Sequence, residues 1–343
     1  MDDGEVRFGL WYDFRNPKEG GSSFSDLYTA TLEQIAWAEQ LGFDSVWLTE
    51  HHFTDDGYTP SPLVLAGAIA ATTTRLQIGT NLMLLPLHDP VRLAEDAASL
   101  SLLSGGRFSL GVGLGYRKLE FDAFHRPLRN RPSLLEEGVE IVRRAWSGRP
   151  LSFTGRRFEL PDVVVTPQPE HELPLLIGGM VQPAIERVAR LGDGFLSTLN
   201  VHHDIYVDAY RAQHGDLDGA RIYAGQWIVV AEDPEREWAE IGRHALYQIN
   251  EYISWGAFGP PDQIPQFPDA QQIVAAGAYQ LLDAEGAASM LVDLLRGRPQ
   301  IRDVHLWAQL PGERVEHGSP RLEYFAGRVI PEVRARLQAA ATT

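Results

Sequence analysis

The sequence predicts an α/β protein: a (β/α)8 TIM barrel with insertions after its fourth strand and before its eighth. Three observations carry this. Short apolar runs alternate with longer helical patterns about eight times along the 343 residues. Most of those runs are apolar nearly throughout, as parallel strands covered on both faces must be. The length suits one large decorated domain or two ordinary ones, and the chain is read as a single domain over residues 1–343. A doubly wound open sheet is the alternative that the same alternation allows.

In order, the first strand is expected at Val6–Phe14 and the first helix at Asp26–Leu41. That helix has Ser25 or Asp26 as cap, apolar positions at Leu32, Ile35, Ala36 and Leu41, and Gly42 as terminator. Strand and helix follow as Asp44–Glu50 with Leu63–Thr73, Leu76–Leu85 with Val91–Leu103, and Phe108–Leu114 with Pro132–Trp146. Leu151–Leu160 places Thr-Gly between two short β-like runs and reads as an inserted hairpin. Further strands are expected at Pro174–Gly178, Gly194–Ser197, Ile222–Ala231 and Asp303–Gln309, with helices at Pro183–Leu191 and, opened by Asp204, at Ile205–Ala212. From Tyr247 to Asp283 the alternation breaks. Gly256, Gly259-Pro260-Pro261, Pro265 and Pro268 interleave there with Trp255, Phe258 and Phe267, the composition of a mobile active-site lid. Ser319-Pro320 opens a terminal amphipathic helix that runs to Leu337.

Composition narrows the function. Thirty Lys and Arg against 46 Asp and Glu leave a net charge of −16, which repels nucleic acid and anionic membrane surfaces. The absence of cysteine excludes disulfides, thiolate metal sites and Cys nucleophiles. Met1 to Val6 has no signal-peptide pattern, and no apolar run approaches the ~18–20 residues of a membrane helix, so a cytoplasmic protein is expected.

The densest polar cluster is Thr49-Glu50-His51-His52-Phe53, at the end of the second strand, where barrels place catalytic groups. A histidine there can move protons near neutral pH. Metal binding is not expected, since adjacent strand histidines point to opposite faces and no HExxH accompanies them; His202-His203-Asp204 is likewise read as a helix start. Gly111-Val-Gly-Leu-Gly115 lacks the last glycine of a dinucleotide fingerprint and suits close backbone approach to a ligand. Leu176-Ile-Gly-Gly-Met180 precedes a helix, and amides at such a start attract anions.

The run Phe43 to Thr54, then Gly79-Thr80, His88-Asp-Pro-Val-Arg92, Ala94-Glu-Asp96, Ser104-Gly-Gly-Arg-Phe108 and Gly111-Val-Gly, resembles the bacterial luciferase-like flavin monooxygenase family. The resemblance implies a barrel, usually dimeric, that binds reduced FMN or, in some branches, the deazaflavin F420. It places His51 at the catalytic position, with Glu50 and His52 orienting it. It puts a cis peptide at Asn81–Leu82, beside Met83, against the flavin ring, and the flavin phosphate on the amides of Gly178, Gly179, Met180, Val181 and Gln182. Where relatives carry a phosphate-pairing Arg this chain has Leu114, which leaves Arg117 as the nearest substitute. Trp11, Phe14, Met83, Trp255 and Trp307 are expected to wall the substrate pocket. The implied reaction oxygenates a small organic substrate with O2 and reduced FMN from a separate flavin reductase. Hydride transfer with F420 and no O2, or flavin binding without catalysis, are the alternatives.

Overall fold

The first apolar run folds as β1 (Arg7–Tyr12), buried from Phe8 onward, in a computed structural model that describes residues 6–341. The opening Met1 to Glu5, read above for a signal pattern, lies outside the described residues. α1 (Phe24–Leu41) is capped by Ser23 rather than Ser25 or Asp26, because the Ser23 hydroxyl oxygen accepts from the Asp26 amide at 3.1 Å. β2 (Ser45–Leu48), α2 (Pro62–Thr72), β3 (Gln77–Thr80), α3 (Pro90–Ser104) and β4 (Phe108–Val112) continue the alternation. Pro62 and Pro90 stand in first turns, where a missing amide leaves no bond unmade. β3 is shorter than the predicted Leu76–Leu85, since the chain leaves the strand path at Asn81.

α4 (Lys118–Ala123) and α5 (Arg131–Ala145) precede the inserted hairpin, β5 (Leu151–Thr154) antiparallel to β6 (Glu159–Val163). β7 (Leu175–Gly178), α6 (Gln182–Leu191), β8 (Gly194–Ser197) and α7 (His203–His214) follow. Asp204 lies in the first turn of α7 and does not cap it. The predicted strand Ile222–Ala231 is two, β9 (Ile222–Gln226) and β10 (Ile228–Val230). Next come α8 (Pro234–Trp255), α9 (Ala270–Ala275), β11 (Gln280–Leu282), α10 (Ala284–Gly297) and β12 (Ile301–Trp307). The split of the predicted strand follows from pairing: β10 pairs in parallel with β11 in a separate two-stranded sheet, while β9 stays in the barrel. α11 (Val315–Tyr324) and α12 (Ile330–Ala341) close the chain. Pro320 falls inside α11 instead of opening it, because burial of Val315 and Leu322 draws the helix start back to Val315.

Eight strands close a barrel in the order β1-β12-β9-β8-β7-β4-β3-β2. The hairpin follows the fourth barrel strand and the irregular segment precedes the eighth, as the sequence predicts. That segment is more ordered than expected, because α8 extends through Tyr247 to Trp255 and α9 and β11 lie within the remainder. No helix among the described residues is long and apolar enough to cross a membrane.

The chain divides into two compact units: one runs up to Val46, with Asp55–Gly57 and everything from Tyr223; the other holds Trp47–Thr54 and Tyr58–Ile222. In the first, β1 and β12 run in register, Arg7 beside Asp303, Gly9 beside His305 and Trp11 beside Trp307. Asp303 is fully buried and accepts from Ser45 Oγ at 2.6 Å, with His305 Nδ1 at 2.9 Å on its other oxygen. The second unit carries the end of β2 from Trp47 onward, with β3, β4, β7 and β8, and with them the polar cluster of the sequence.

Candidate active site

β2 stops at Leu48, and the next four residues leave its C-terminal end with polar side chains turned inward. The His51 amide donates to the Thr59 carbonyl at 3.2 Å, which fixes the backbone there. The His51 ring is buried, and both of its nitrogens are engaged. Nδ1 lies 2.8 Å from Oε1 of Glu120 on α4, and Nε2 lies 2.9 Å from the Tyr116 hydroxyl. Tyr58 and Tyr116 pack edge-on against the ring at 4.8 and 5.2 Å.

Glu120 is wholly buried. Its Oε1 also accepts from the His52 amide at 2.9 Å and from Arg117 at 3.3 Å. Burial alone pushes this carboxyl up, but the hydrogen bond and charge of His51, with the His52 amide and Arg117, hold it below the usual carboxylate range. An ionised Glu120 places the hydrogen of neutral His51 on Nδ1 and leaves Nε2 to accept from Tyr116.

Glu50 anchors a second cluster. Its Oε1 accepts from His52 Nε2 at 3.0 Å and His88 Nε2 at 2.7 Å, and its other oxygen accepts from the Leu84 amide. Burial pushes Glu50 up, yet the charge of His88 and the bonds from His52 and His88 take its pKa down to about 2. His88 moves the opposite way: burial lowers it, and the Glu50 charge and hydrogen bond outweigh that and raise it. Both imidazoles spend Nε2 on the carboxylate, and among the described residues no three His, Cys, Asp or Glu side chains gather as a metal would require.

The cofactor positions converge on one side chain. The Asn81–Leu82 peptide is cis. The Asn81 amide donates to Leu48 on β2, and Met83 rejoins β4 through bonds to Gly111 and Gly113. Leu82 projects over Gly113 and Gly178, where added Cβ atoms would sit 2.6 and 2.3 Å from it, so a side chain at either site would force Leu82 to move. Gly179 folds onto the start of α6: its Cβ would lie 3.0 Å from Ala184. Val181 caps α6 with no side-chain bond, and the Gln182 side chain turns to Glu186 at 2.9 Å. The loop thus offers backbone to an anion, which fits a flavin phosphate, and a bulge beneath it that fits a flat ring. Leu114 sits half-buried in the loop after β4.

Arg117 is placed otherwise than the sequence suggested. Its guanidinium donates to the His52 carbonyl at 2.5 Å and to Glu120, so it braces the histidine cluster instead of reaching for a phosphate.

In the other unit, Trp11 and Trp307 stack at 4.4 Å with 6° between planes, and Trp227 stands edge-on to both at 6.4 and 5.7 Å. Phe14 is apart from this wall, wholly buried against Tyr12 and Tyr28 at φ 55°. Trp255 lies beside Tyr252 and covers the Arg15 guanidinium at 5.0 Å.

A sequence profile described as luciferase-like monooxygenase matches residues 6–291. The chain belongs to that family. Proteins similar to this luciferase-like chain include dehydrogenases named for F420 and a monooxygenase constituent in complex with FMN. The F420-dependent glucose-6-phosphate dehydrogenase of Amycolatopsis mediterranei (strain U-32) is 32% identical to it over 184 residues, 52% of this chain and 55% of that one. The chain spans about half the length of the curated relatives it matches. Monooxygenase RslO1 from Streptomyces bottropensis superposes with a TM-score of 0.81 at 22% identity, covering 95% of this chain and 99% of that one. The oxygenating constituent of 3,6-diketocamphane monooxygenase from Pseudomonas putida, in complex with FMN, gives 0.75 at 16% identity over 96% and 99%. At such identities the structures speak for the fold.

Sequence reasoning missed Tyr116, Glu120 and a role for His88. A carboxylate between Leu119 and Phe121 is a weak hint of burial, and His88 was visible only as part of the family pattern.

Proposed function

We propose that this luciferase-like protein is a monooxygenase that takes reduced FMN from a separate reductase and uses O2 to oxygenate a small organic substrate. The observation that carries the reading is the His51 ring at the end of β2, held between a buried carboxylate and a phenol. Reduced FMN, when bound, supplies the electrons that activate O2. The chain's own groups do the rest. Amides from Gly178 to Gln182 hold the phosphate, Leu82 and Met83 support the ring, and His51 with Glu120 stores the proton that oxygen reduction consumes. Glu50 fixes His52 and His88, which keeps the cluster rigid. Trp11 and Trp307 give an apolar wall suited to an uncharged organic substrate.

FMN is favoured over F420 by charge. F420 carries a tail of several carboxylates, whereas the phosphate loop holds no cationic side chain, and Arg187 and Arg190 beyond it are both bound to Glu136 at 2.7 and 2.9 Å. Hydride transfer with F420 is the second reading, supported by the 32% identity to a dehydrogenase named for that cofactor. In either reading the chain acts as a single barrel domain, in the cytoplasm, as a homodimer, with Tyr247–Asp283 as a cover that excludes water. Anaerobic titration with reduced FMN and with reduced F420, followed by mixing with oxygen, tests the reading. Tight binding of reduced FMN and oxygen consumption support it; binding of F420 alone, without oxygen uptake, refutes it.

A further inference from the structure

The first site of proton exchange need not be the histidine. Both His51 nitrogens already have protein partners, and its side chain is only 7% exposed. Nδ1 faces Glu120 in the interior, and Nε2 faces the Tyr116 hydroxyl, on the loop that leaves the C-terminal end of β4. Tyr116 is half-buried, more open than the ring it covers. A reactant that approaches from the loop side meets the phenol oxygen before it meets the imidazole.

Deepening the functional reading, we propose that Tyr116 is the catalytic residue that passes the proton to the oxygen-derived reactant, and that His51 and Glu120 are positioning residues behind it. The step balances as a double transfer. With His51 first protonated on Nε2 from solvent, the Tyr116 Oη–H bond breaks as its proton joins a reactant oxygen, and His51 Nε2–H breaks as its proton restores the phenol. His51 passes from imidazolium to neutral imidazole, keeping its Nδ1 hydrogen on Glu120, and solvent returns one proton after release of product. No electrons move in this step. The charged neighbours that set the poise of the relay are Glu120 and Arg117, with Glu50, His52 and His88 in the adjoining cluster.

The test compares Tyr116→Phe, His51→Gln and the double variant. Tyr116→Phe keeps the ring that packs on His51 at 5.2 Å and removes only the hydroxyl. Without any cofactor, nitrogen-15 spectra of labelled histidine read the hydrogen bond directly. With the ring neutral, the His51 Nε2 resonance, assigned by its loss in His51→Gln, should shift downfield in Tyr116→Phe while Nδ1 stays protonated. With reduced FMN bound anaerobically, reoxidation on mixing with air-saturated buffer should change at least about tenfold in Tyr116→Phe, as for a lost acid–base group. Its solvent isotope effect should vanish, and reduced FMN affinity should stay within about threefold, since uniform binding is untouched. The double variant should add nothing to either single one. An unmoved Nε2 resonance overturns the proposal, as does wild-type reoxidation with its isotope effect in Tyr116→Phe when His51→Gln has lost both. A wild-type protein that fails to bind reduced FMN overturns the functional reading and the proposal together; failure of the relay alone leaves that binding intact.

Discussion

Replacing Gly178 by alanine tests whether Leu82 is the element that joins β3, β4 and β7 under the cofactor position. The new Cβ would lie 2.3 Å from Leu82 Cδ2, against an optimum carbon separation of about 3.5–4.0 Å. The side chain must therefore retreat by more than about 1 Å, yet it already rests on Gly113, whose own Cβ would come within 2.6 Å of it. Overpacking of this kind costs about 1–3 kcal/mol, or about 5- to 150-fold in the unfolding equilibrium. Urea unfolding followed by circular dichroism measures that cost, and anaerobic titration measures reduced FMN affinity, which should fall with it if Leu82 supports the ring as proposed. In a Leu82→Ala background the same Gly178→Ala change should cost less than about 0.5 kcal/mol, since its collision partner is gone. Equal cost in both backgrounds would refute the reasoning, and so would full stability of Gly178→Ala with Leu82 present.

Three further outcomes follow from the geometry. Glu50, lowered to about 2, contributes stability that is present above the ordinary carboxylate range and lost as pH falls through that value; His88, raised, contributes stability present below the ordinary histidine range and lost as pH rises through its raised value. The pair should thus be most effective between about pH 4.5 and 6.5, and Glu50→Gln should flatten both limbs of the urea midpoint against pH. Arg117→Ala should weaken FMN and phosphate-free riboflavin equally, because Arg117 binds His52 and Glu120; a selective loss of FMN binding would restore it to the phosphate. Asn250→Ala should open residues 256–268 to limited proteolysis at least about tenfold faster, because the Asn250 side chain clasps both the amide and the carbonyl of Phe267 at 2.8 Å; unchanged cleavage would show that the clasp does not hold the segment.

The barrel was readable because its strands are apolar on both faces and its helices carry their own stops, such as Gly42 after α1 and proline at the start of α2 and α3. Boundaries failed where tertiary pairing overrode local pattern. β3 ends early because Asn81 turns to Leu48, and the run after Ile222 divides because β10 has a partner outside the barrel. His51 was readable from its place at a strand end. Its partners were not, since Glu120 and Tyr116 stand 69 and 65 residues away in sequence and no spacing rule links a strand end to a loop so distant. The bonds of Arg117 were hidden for the same reason: its closeness in sequence to the glycine loop conceals a side chain that donates to His52.

Trp11, Trp227 and Trp307 are three of the eight tryptophans, and their rings lie within 6.4 Å of one another. Indoles at that separation share excitation far faster than they emit, so the trio behaves optically as one chromophore. Light absorbed by any ring leaves from whichever lies lowest in energy, and an acceptor that quenches one quenches all three. The unit built on β1 and β12 therefore carries an unlabelled reporter. A coloured ring brought beside Trp11 or Trp307 would darken the whole trio at once, and separation of β1 from β12 would break it into independent emitters with a different spectrum.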